Sequence, residues 1–220
     1  MQIFKKRAFT LAEVLVTLGI IGVVSAMTIP TLMRNHQRLV YVTQLKKVYS
    51  MLSQAVDNAL QKENLVSLDE SNYQYTNPNG AESFLTRYLK VVNNCKATLT
   101  PCFAEKYRTL DGENFILGTP EVAVTLADGT SINVIWNGLE YDSGSDPDHG
   151  YLALQVDING QEGPNVVGRD LFYMELYSDG KVSEGYHLKE RAENSCGDNW
   201  GGYGGGCLTQ IINAGWKMDY

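Results

Sequence analysis

Apolar residues dominate the first part of the chain and then recur at helical spacing. Val14 to Met33 is a run of about 20 residues without a charge, long enough to cross a bilayer core as a helix. Beyond it, apolar residues recur every three or four positions, as in an amphipathic helix: Leu39, Val42, Leu45, Val48, Leu52, Val56 and Leu60. The pattern predicts one long helix from about Phe9 to Leu60, apolar over residues 9–33 and amphipathic over residues 34–62.

Turn-forming residues end the helical pattern, and residues 63–220 are predicted to form a globular head. Asn77-Pro78-Asn79-Gly80 combines residues that are typical of turns. A short amphipathic helix is expected after this turn, from about Glu82 to Val92. Another short helix is expected in the tail, Cys207 to Tyr220, with its end at Gly215 because glycine often terminates helices.

Short apolar runs alternate with turn signals between these two helices, which is typical of antiparallel strands. Two hairpins are predicted, each around an Asp-Gly pair of the kind that favours a tight reversal. They join Val122–Leu126 to Ser131–Trp136 and Leu171–Tyr177 to Lys181–Glu184, and Tyr151–Ile158 is a further strand. The predicted fold class is therefore α+β, with a long N-terminal helix packed on an antiparallel sheet of about four to six strands.

Charge is distributed unevenly along the chain. The formal net charge is −7, and residues 1–8 hold Lys5, Lys6 and Arg7 without an acidic residue. Beyond these eight residues, 15 basic and 25 acidic residues give a net charge of −10. Nucleic acid is not an expected partner, because a polypeptide with this negative net charge repels phosphates and no later run of Lys or Arg offsets that repulsion.

Glu13 is an unexpected charge at the edge of the apolar run. A carboxylate at membrane depth costs about 2.5 to 3.5 kcal/mol on insertion scales, and less near the interface. In one interpretation, Glu13 simply extends to the lipid headgroups. In the other, a second molecule brings a cation to the same depth. The basic residues before the run predict that the N-terminal end faces the cytoplasm and that the acidic remainder lies outside.

The segment KKRAFTLAEVLVTLGIIGVVSAMTIP resembles the leader and N-terminal helix of type IV prepilins and type II secretion pseudopilins. The resemblance implies that a prepilin peptidase cuts between Ala8 and Phe9 and then methylates the amino group of Phe9. It also implies that Glu13 pairs with the N-terminal ammonium of a neighbouring subunit, which would supply the missing cation. Pro30 matches the proline that often bends this helix in the family. Ala8 departs from the family pattern, which usually has Gly before the cut, although both residues are small.

This resemblance implies a structural filament subunit rather than an enzyme, with the layout of a lollipop. The protein would sit in the bacterial inner membrane as a single-pass precursor. Its partners would be other subunits, the prepilin peptidase and, indirectly, a platform protein and an assembly ATPase. Whether such a filament is a pilus or a secretion pseudopilus is left open.

Two other interpretations of the same residues remain open. A secretory signal peptide also has a basic start and an apolar core, and Val24-Ser25-Ala26 would then be its exit site. Cleavage there would release a soluble domain from Met27. Alternatively, the chain is an exported or membrane-tethered binding domain that does not polymerise.

The four cysteines occur as two close pairs, Cys95 with Cys102 and Cys196 with Cys207. Neither pair has the C-x-x-C spacing of a zinc knuckle or a redox motif. An even number of cysteines behind an export-type N-terminus favours disulfides. Local pairing is preferred among the three connectivities, and buried free thiols are the alternative.

Residues for catalysis or metal binding are not grouped in any recognised motif. The three histidines, His36, His149 and His187, are scattered, so no catalytic residue is assigned. Two acidic loops, residues 142–149 and 157–170, offer oxygen atoms at alternating positions as calcium loops do, but neither has the EF-hand pattern. Solvated turns are the other interpretation. No cofactor is therefore expected; calcium is kept as an alternative without assigned ligands.

Overall fold

A computed structural model describes residues 10–74, 77, 79–138, 150–184, 196 and 205–220. The helices are α1 (Leu11–Glu63), α2 (Gly80–Tyr88) and α3 (Cys207–Asn213), with a 3₁₀ turn at Leu68–Glu70. The strands are β1 (Val91–Lys96), β2 (Tyr107–Arg108), β3 (Asn114–Phe115), β4 (Val122–Leu126), β5 (Ser131–Gly138), β6 (Tyr151–Asp157), β7 (Leu171–Tyr177) and β8 (Val182–Ser183). The chain divides into two compact units, Met1–Val40 and Tyr41–Tyr220.

The first unit contains the apolar beginning of α1. Its large apolar side chains lie exposed on the helix surface, and Leu11 is 80% exposed. Within the part of the chain that the structure describes, α1 is the one helix long and apolar enough to cross a membrane. An apolar surface of this extent needs a covering medium, because water would solvate it poorly.

The second unit holds the remainder of α1, whose buried side chains confirm most of the predicted apolar stripe. These buried residues are Val42, Leu45, Val48, Leu52 and Val56. Leu60 is partly buried and packs against the core. The prediction was wrong for Leu39, which is 65% exposed. Leu39 belongs to the first unit, where no core covers it.

The main sheet is antiparallel and has six strands in the order β1-β4-β5-β6-β7-β8, while β2 and β3 form a separate two-stranded sheet. Both predicted hairpins are confirmed, with Val124 opposite Ile132 in one and Leu176 opposite Val182 in the other. Their turns contain Gly129 and Gly180 at φ values of 92° and 89°, which residues with a Cβ rarely adopt. A long helix followed by this sheet confirms the α+β fold class.

Apolar side chains on one face of β5, β6 and β7 share a single hydrophobic core with the buried stripe of α1. Those with no exposed surface are Ile132, Val134, Leu152, Leu154, Val156, Phe172, Met174 and Leu176. The opposite face is covered as well, since Asn133 and Gln155 are also fully buried there. These two amides contact each other, with Asn133 Nδ2 donating to Gln155 Oε1 at 3.2 Å, because buried polar groups need partners.

The predicted helix from Glu82 to Val92 is wrong at its C-terminal end. α2 ends at Tyr88, the backbone of Leu89 is extended, and Val91 begins strand β1. β1 pairs with β4, where Val91 lies opposite Leu126. This pairing outweighs a weak local helical pattern, and the β-branched valines favour the strand. The tail helix is confirmed: α3 ends at Asn213, and Gly215 follows with a φ of 68°.

Candidate assembly site

Thr10 and Glu13 cap the beginning of α1 reciprocally. The Thr10 hydroxyl accepts a hydrogen bond from the Glu13 backbone N–H at 3.3 Å. In return, Glu13 Oε2 accepts from both the Thr10 N–H and the Thr10 hydroxyl, each at 2.8 Å. This is a capping box, which satisfies helix-end donors that would otherwise lack partners. The Thr-x-x-Glu spacing that encodes this box is a local signal in the sequence, but the prediction for Glu13 did not include Thr10.

The cap leaves one oxygen of Glu13 available to another molecule. Both bonds from Thr10 end on Oε2, and Oε1 has no hydrogen-bond partner among the described residues. Glu13 is exposed, on a helix whose neighbouring side chains, Leu11 and Val14, are exposed and apolar. The site is therefore one carboxylate on an apolar surface, with its Oε1 available for a further contact. Such a group can receive a cation from a second polypeptide.

The residues predicted for cleavage, methylation and helix bending are Ala8, Phe9 and Pro30. Ala8 and Phe9 fall outside the described residues, so cleavage and methylation stay predictions. Pro30 lies inside α1, where its ring nitrogen has no hydrogen to donate to the carbonyl of Ala26. The bend at Pro30 also stays a prediction.

Two disulfides are present in the second unit, with the local pairing that was preferred from the sequence. Cys95 is bonded to Cys102, and Cys196 to Cys207, with S–S distances of 2.14 and 2.17 Å. Gly168 lies directly against the second disulfide, at a φ of 81°, and a Cβ built there would be 2.6 Å from the Cys207 sulfur. A glycine is therefore required at this contact.

Two carboxylates of the acidic loop between β6 and β7 are buried rather than solvated. Asp157 and Asp170 have no exposed surface. Asp157 accepts a hydrogen bond from the Tyr107 hydroxyl at 2.6 Å. Asp170 accepts from the backbone N–H groups of Asn165 and Val166 at 2.7 and 2.6 Å. The solvated-turn interpretation is therefore wrong for these two residues, whose carboxyl groups organise the loop.

Burial also changes the ionisation of this pair. It raises the pKa of Asp157 to about 8; the Tyr107 hydroxyl opposes this shift and the charge of Asp170 adds to it. Burial raises the pKa of Asp170 too, against the hydrogen bonds from Val166 and Asn165. Calcium binding in this loop stays a prediction. The other acidic loop, residues 142–149, lies outside the described residues.

A further buried carboxylate, Glu184, was not recognised from the sequence. It is 1% exposed and caps α3 by accepting from the backbone N–H groups of Leu208 and Thr209 at 3.0 and 2.7 Å. Its partners lie 24 and 25 residues away, so local spacing gives no signal for the contact. Of the three histidines, His36 is exposed on α1, and His149 and His187 lie outside the described residues.

Comparison with known proteins supports the N-terminal resemblance. Residues 3–29 match the family model of the prokaryotic N-terminal methylation motif, which is the signature of type IV pilins and pseudopilins. This match contains Ala8, Phe9 and Glu13 and confirms the resemblance seen in the sequence. No curated protein and no solved structure matches the chain. Together, the motif and the apolar helix are consistent with a membrane-anchored, pilin-like precursor.

Proposed function

We propose that the chain is the precursor of a structural subunit of a type IV pilus-like or type II secretion filament. One observation carries this proposal: the methylation motif at residues 3–29 coincides with the exposed apolar beginning of α1. A prepilin peptidase would cut between Ala8 and Phe9 and methylate Phe9. The motif suggests a structural rather than an enzymatic role.

Assembly would use the carboxylate of Glu13. Its Oε1, which has no partner among the described residues, supports a contact with the Phe9 ammonium of a neighbouring subunit, while Oε2 stays bonded to Thr10. A charge pair in an apolar surrounding is costly to break by removal of one partner. The contact would therefore fix the register of adjacent helices as well as hold them together.

The compartment and partners follow from the same features. The precursor would lie in the inner membrane with Lys5, Lys6 and Arg7 on the cytoplasmic side. The two disulfides favour an oxidising compartment for the second unit. Other subunits and the peptidase would be direct partners, and a platform protein and an assembly ATPase would act indirectly.

Crosslinking of subunits in native membranes tests the proposed role of Glu13. We expect Glu13→Val to abolish crosslinks between neighbouring subunits. Thr17→Val is the matched control, because it adds the same side chain one turn later, where the Thr17 hydroxyl donates to the carbonyl of Val14 within the same helix. Unchanged crosslinking in Glu13→Val would contradict the proposal and favour a tethered domain that does not polymerise.

A further inference from the structure

A cleft of about 770 Å³ lies in the second unit, between the beginning of α2, the end of β1 and the beginning of β4. Some of the residues that line it, such as Ala97 and Val122, have small side chains that leave the space open. The polar side chains that line it are Asn77, Asn79, Glu82, Lys96, Glu121 and Asn137. This set contains two carboxylates and one ammonium, so the cleft has an excess negative charge.

The first carboxylate, Glu82, already has its partners. It accepts from Lys96 Nζ at 2.7 Å and from Asn94 Nδ2 at 2.8 Å. The hydrogen bond from Lys96 holds the pKa of Glu82 below its usual value, against the effect of burial. Glu82 and Lys96 therefore form a neutral pair on one wall of the cleft.

The second carboxylate, Glu121, has no cationic partner within 4.0 Å among the described residues. Its backbone N–H donates to the carbonyl of Val134 at 2.8 Å, which holds the residue at the edge of the sheet. Its carboxylate accepts from the backbone N–H of Asn137 at 3.2 Å. Partial burial raises the pKa of Glu121 despite this hydrogen bond. The negative charge of the cleft thus resides on Glu121.

The side-chain nitrogen atoms of two amides that line the cleft already bond to backbone carbonyls. Asn77 Nδ2 donates to the carbonyl of Asn72 at 2.6 Å, and Asn137 Nδ2 donates to the carbonyl of Tyr73 at 3.1 Å. Among the described residues, the Asn77 oxygen accepts one long hydrogen bond, from the Asn79 N–H at 3.3 Å. Since an amide oxygen can accept two hydrogen bonds, the cleft offers this oxygen as an acceptor in addition to the Glu121 carboxylate.

We propose that this cleft binds a primary ammonium group on a partner polypeptide, with Glu121 as its counter-ion. An ammonium carries one positive charge and three donors, which match the Glu121 carboxylate and the Asn77 oxygen. The second unit, Tyr41–Tyr220, contains 24 acidic and 13 basic residues, so the field around the cleft attracts such a group. Glu13 takes no part in this site, because it belongs to the first unit of the chain.

Calorimetry on the full chain in a neutral detergent tests the proposal. The probe is acetyl-trilysine amide, and acetyl-triglutamine amide is the uncharged comparison. Glu121→Gln should raise the Kd for the lysine peptide at least about tenfold, as expected for loss of a charge-assisted hydrogen bond. Ala97→Phe should weaken binding to a similar extent, because the new side chain would fill the cleft without changing its charge. The matched control, Glu113→Gln, removes a carboxylate that is exposed like Glu121 but lies outside the cleft, in the turn before strand β3, and should change the Kd less than about twofold.

Three results would overturn the proposal. One is no binding of the lysine peptide to the wild-type chain. Another is equal affinity for the two peptides. The third is equal weakening by Glu121→Gln and Glu113→Gln, which would indicate attraction to the acidic surface as a whole. Thermal unfolding of each variant is measured alongside, so that Ala97→Phe decides the matter if Glu121→Gln does not fold.

Discussion

The Tyr107 hydroxyl donates a 2.6 Å hydrogen bond to the buried carboxyl group of Asp157. The contact joins β2 to the end of β6 across 50 residues of sequence. Two backbone hydrogen bonds run beside it, from Arg108 N–H to the Asn165 carbonyl and from Val167 N–H to the Arg108 carbonyl. Because Asp157 also lies near Asp170, this region should respond to pH.

We expect the free energy of unfolding to fall between about pH 5 and pH 8, relative to an Asp157→Asn variant. The pKa of Asp157 is about 8 in the folded chain and about 3.9 when unfolded. Between these values the folded state holds the extra proton, so rising pH removes stability, by at most about 1.4 kcal/mol per pH unit. Urea unfolding at several pH values measures the difference.

Asp219→Asn is the control for this titration, because Asp219 is exposed near the C-terminus. Its unfolding curve should follow that of the wild type at each pH. If the Asp157→Asn variant also ran parallel to the wild type from pH 5 to pH 8, the proton would not reside on Asp157.

Two leucines of the predicted α1 stripe, Leu52 and Leu39, should contribute very differently to the free energy of unfolding. Leu52→Ala should lower the free energy of unfolding by about 2 to 5 kcal/mol, because Leu52 is fully buried. Leu39→Ala should change it by less than about 0.5 kcal/mol, since Leu39 is 65% exposed. Urea unfolding compares the two variants. Equal losses would mean that Leu39 is also part of the core.

The capping box should stabilise the first turn of α1. Thr10→Ala removes the hydroxyl that accepts from the Glu13 N–H, and N-cap substitutions of this kind cost about 0.5 to 2 kcal/mol. Faster amide exchange at Glu13 and Val14 of the detergent-solubilised chain would show the loss, because their N–H groups bond to the Thr10 hydroxyl and carbonyl. Thr10→Ser keeps a hydroxyl and should keep slow exchange. Fast exchange in both variants would argue against the capping role.

Disulfide mapping checks the state of all four cysteines. We expect no thiol labelling of the denatured, non-reduced chain, and four labelled cysteines after reduction. Peptide mapping should link Cys95 to Cys102 and Cys196 to Cys207, as in the structure. A labelled thiol before reduction, or a link between the two pairs, would contradict this arrangement.

The accuracy of the sequence predictions depended on whether a pattern was local. The α1 stripe and the two Asp-Gly hairpins were predictable, because helix periodicity and tight turns are encoded by neighbouring residues. β1 was not, because Val91–Lys96 contains two asparagines and is paired irregularly, with two register shifts against β4. Its strand conformation depends on that partner.

The same distinction applies to the sites. Glu13 was found from a local anomaly in hydrophobicity, and its partner Thr10 was readable three residues earlier. By contrast, the contact of Tyr107 with Asp157 and the cap formed by Glu184 join distant segments. Single-sequence reasoning could identify the residues of these contacts as polar, but not their burial or their partners.

Processing of the N-terminus tests the central claim most directly. The measurement is N-terminal sequencing, with intact mass, of the chain extracted from its native membrane. The account predicts a chain that begins at Phe9 with a methylated amino group. A chain that begins at Met27 would contradict it and indicate an exported domain released by signal peptidase, and a chain that retains residues 1–8 would contradict processing by a prepilin peptidase.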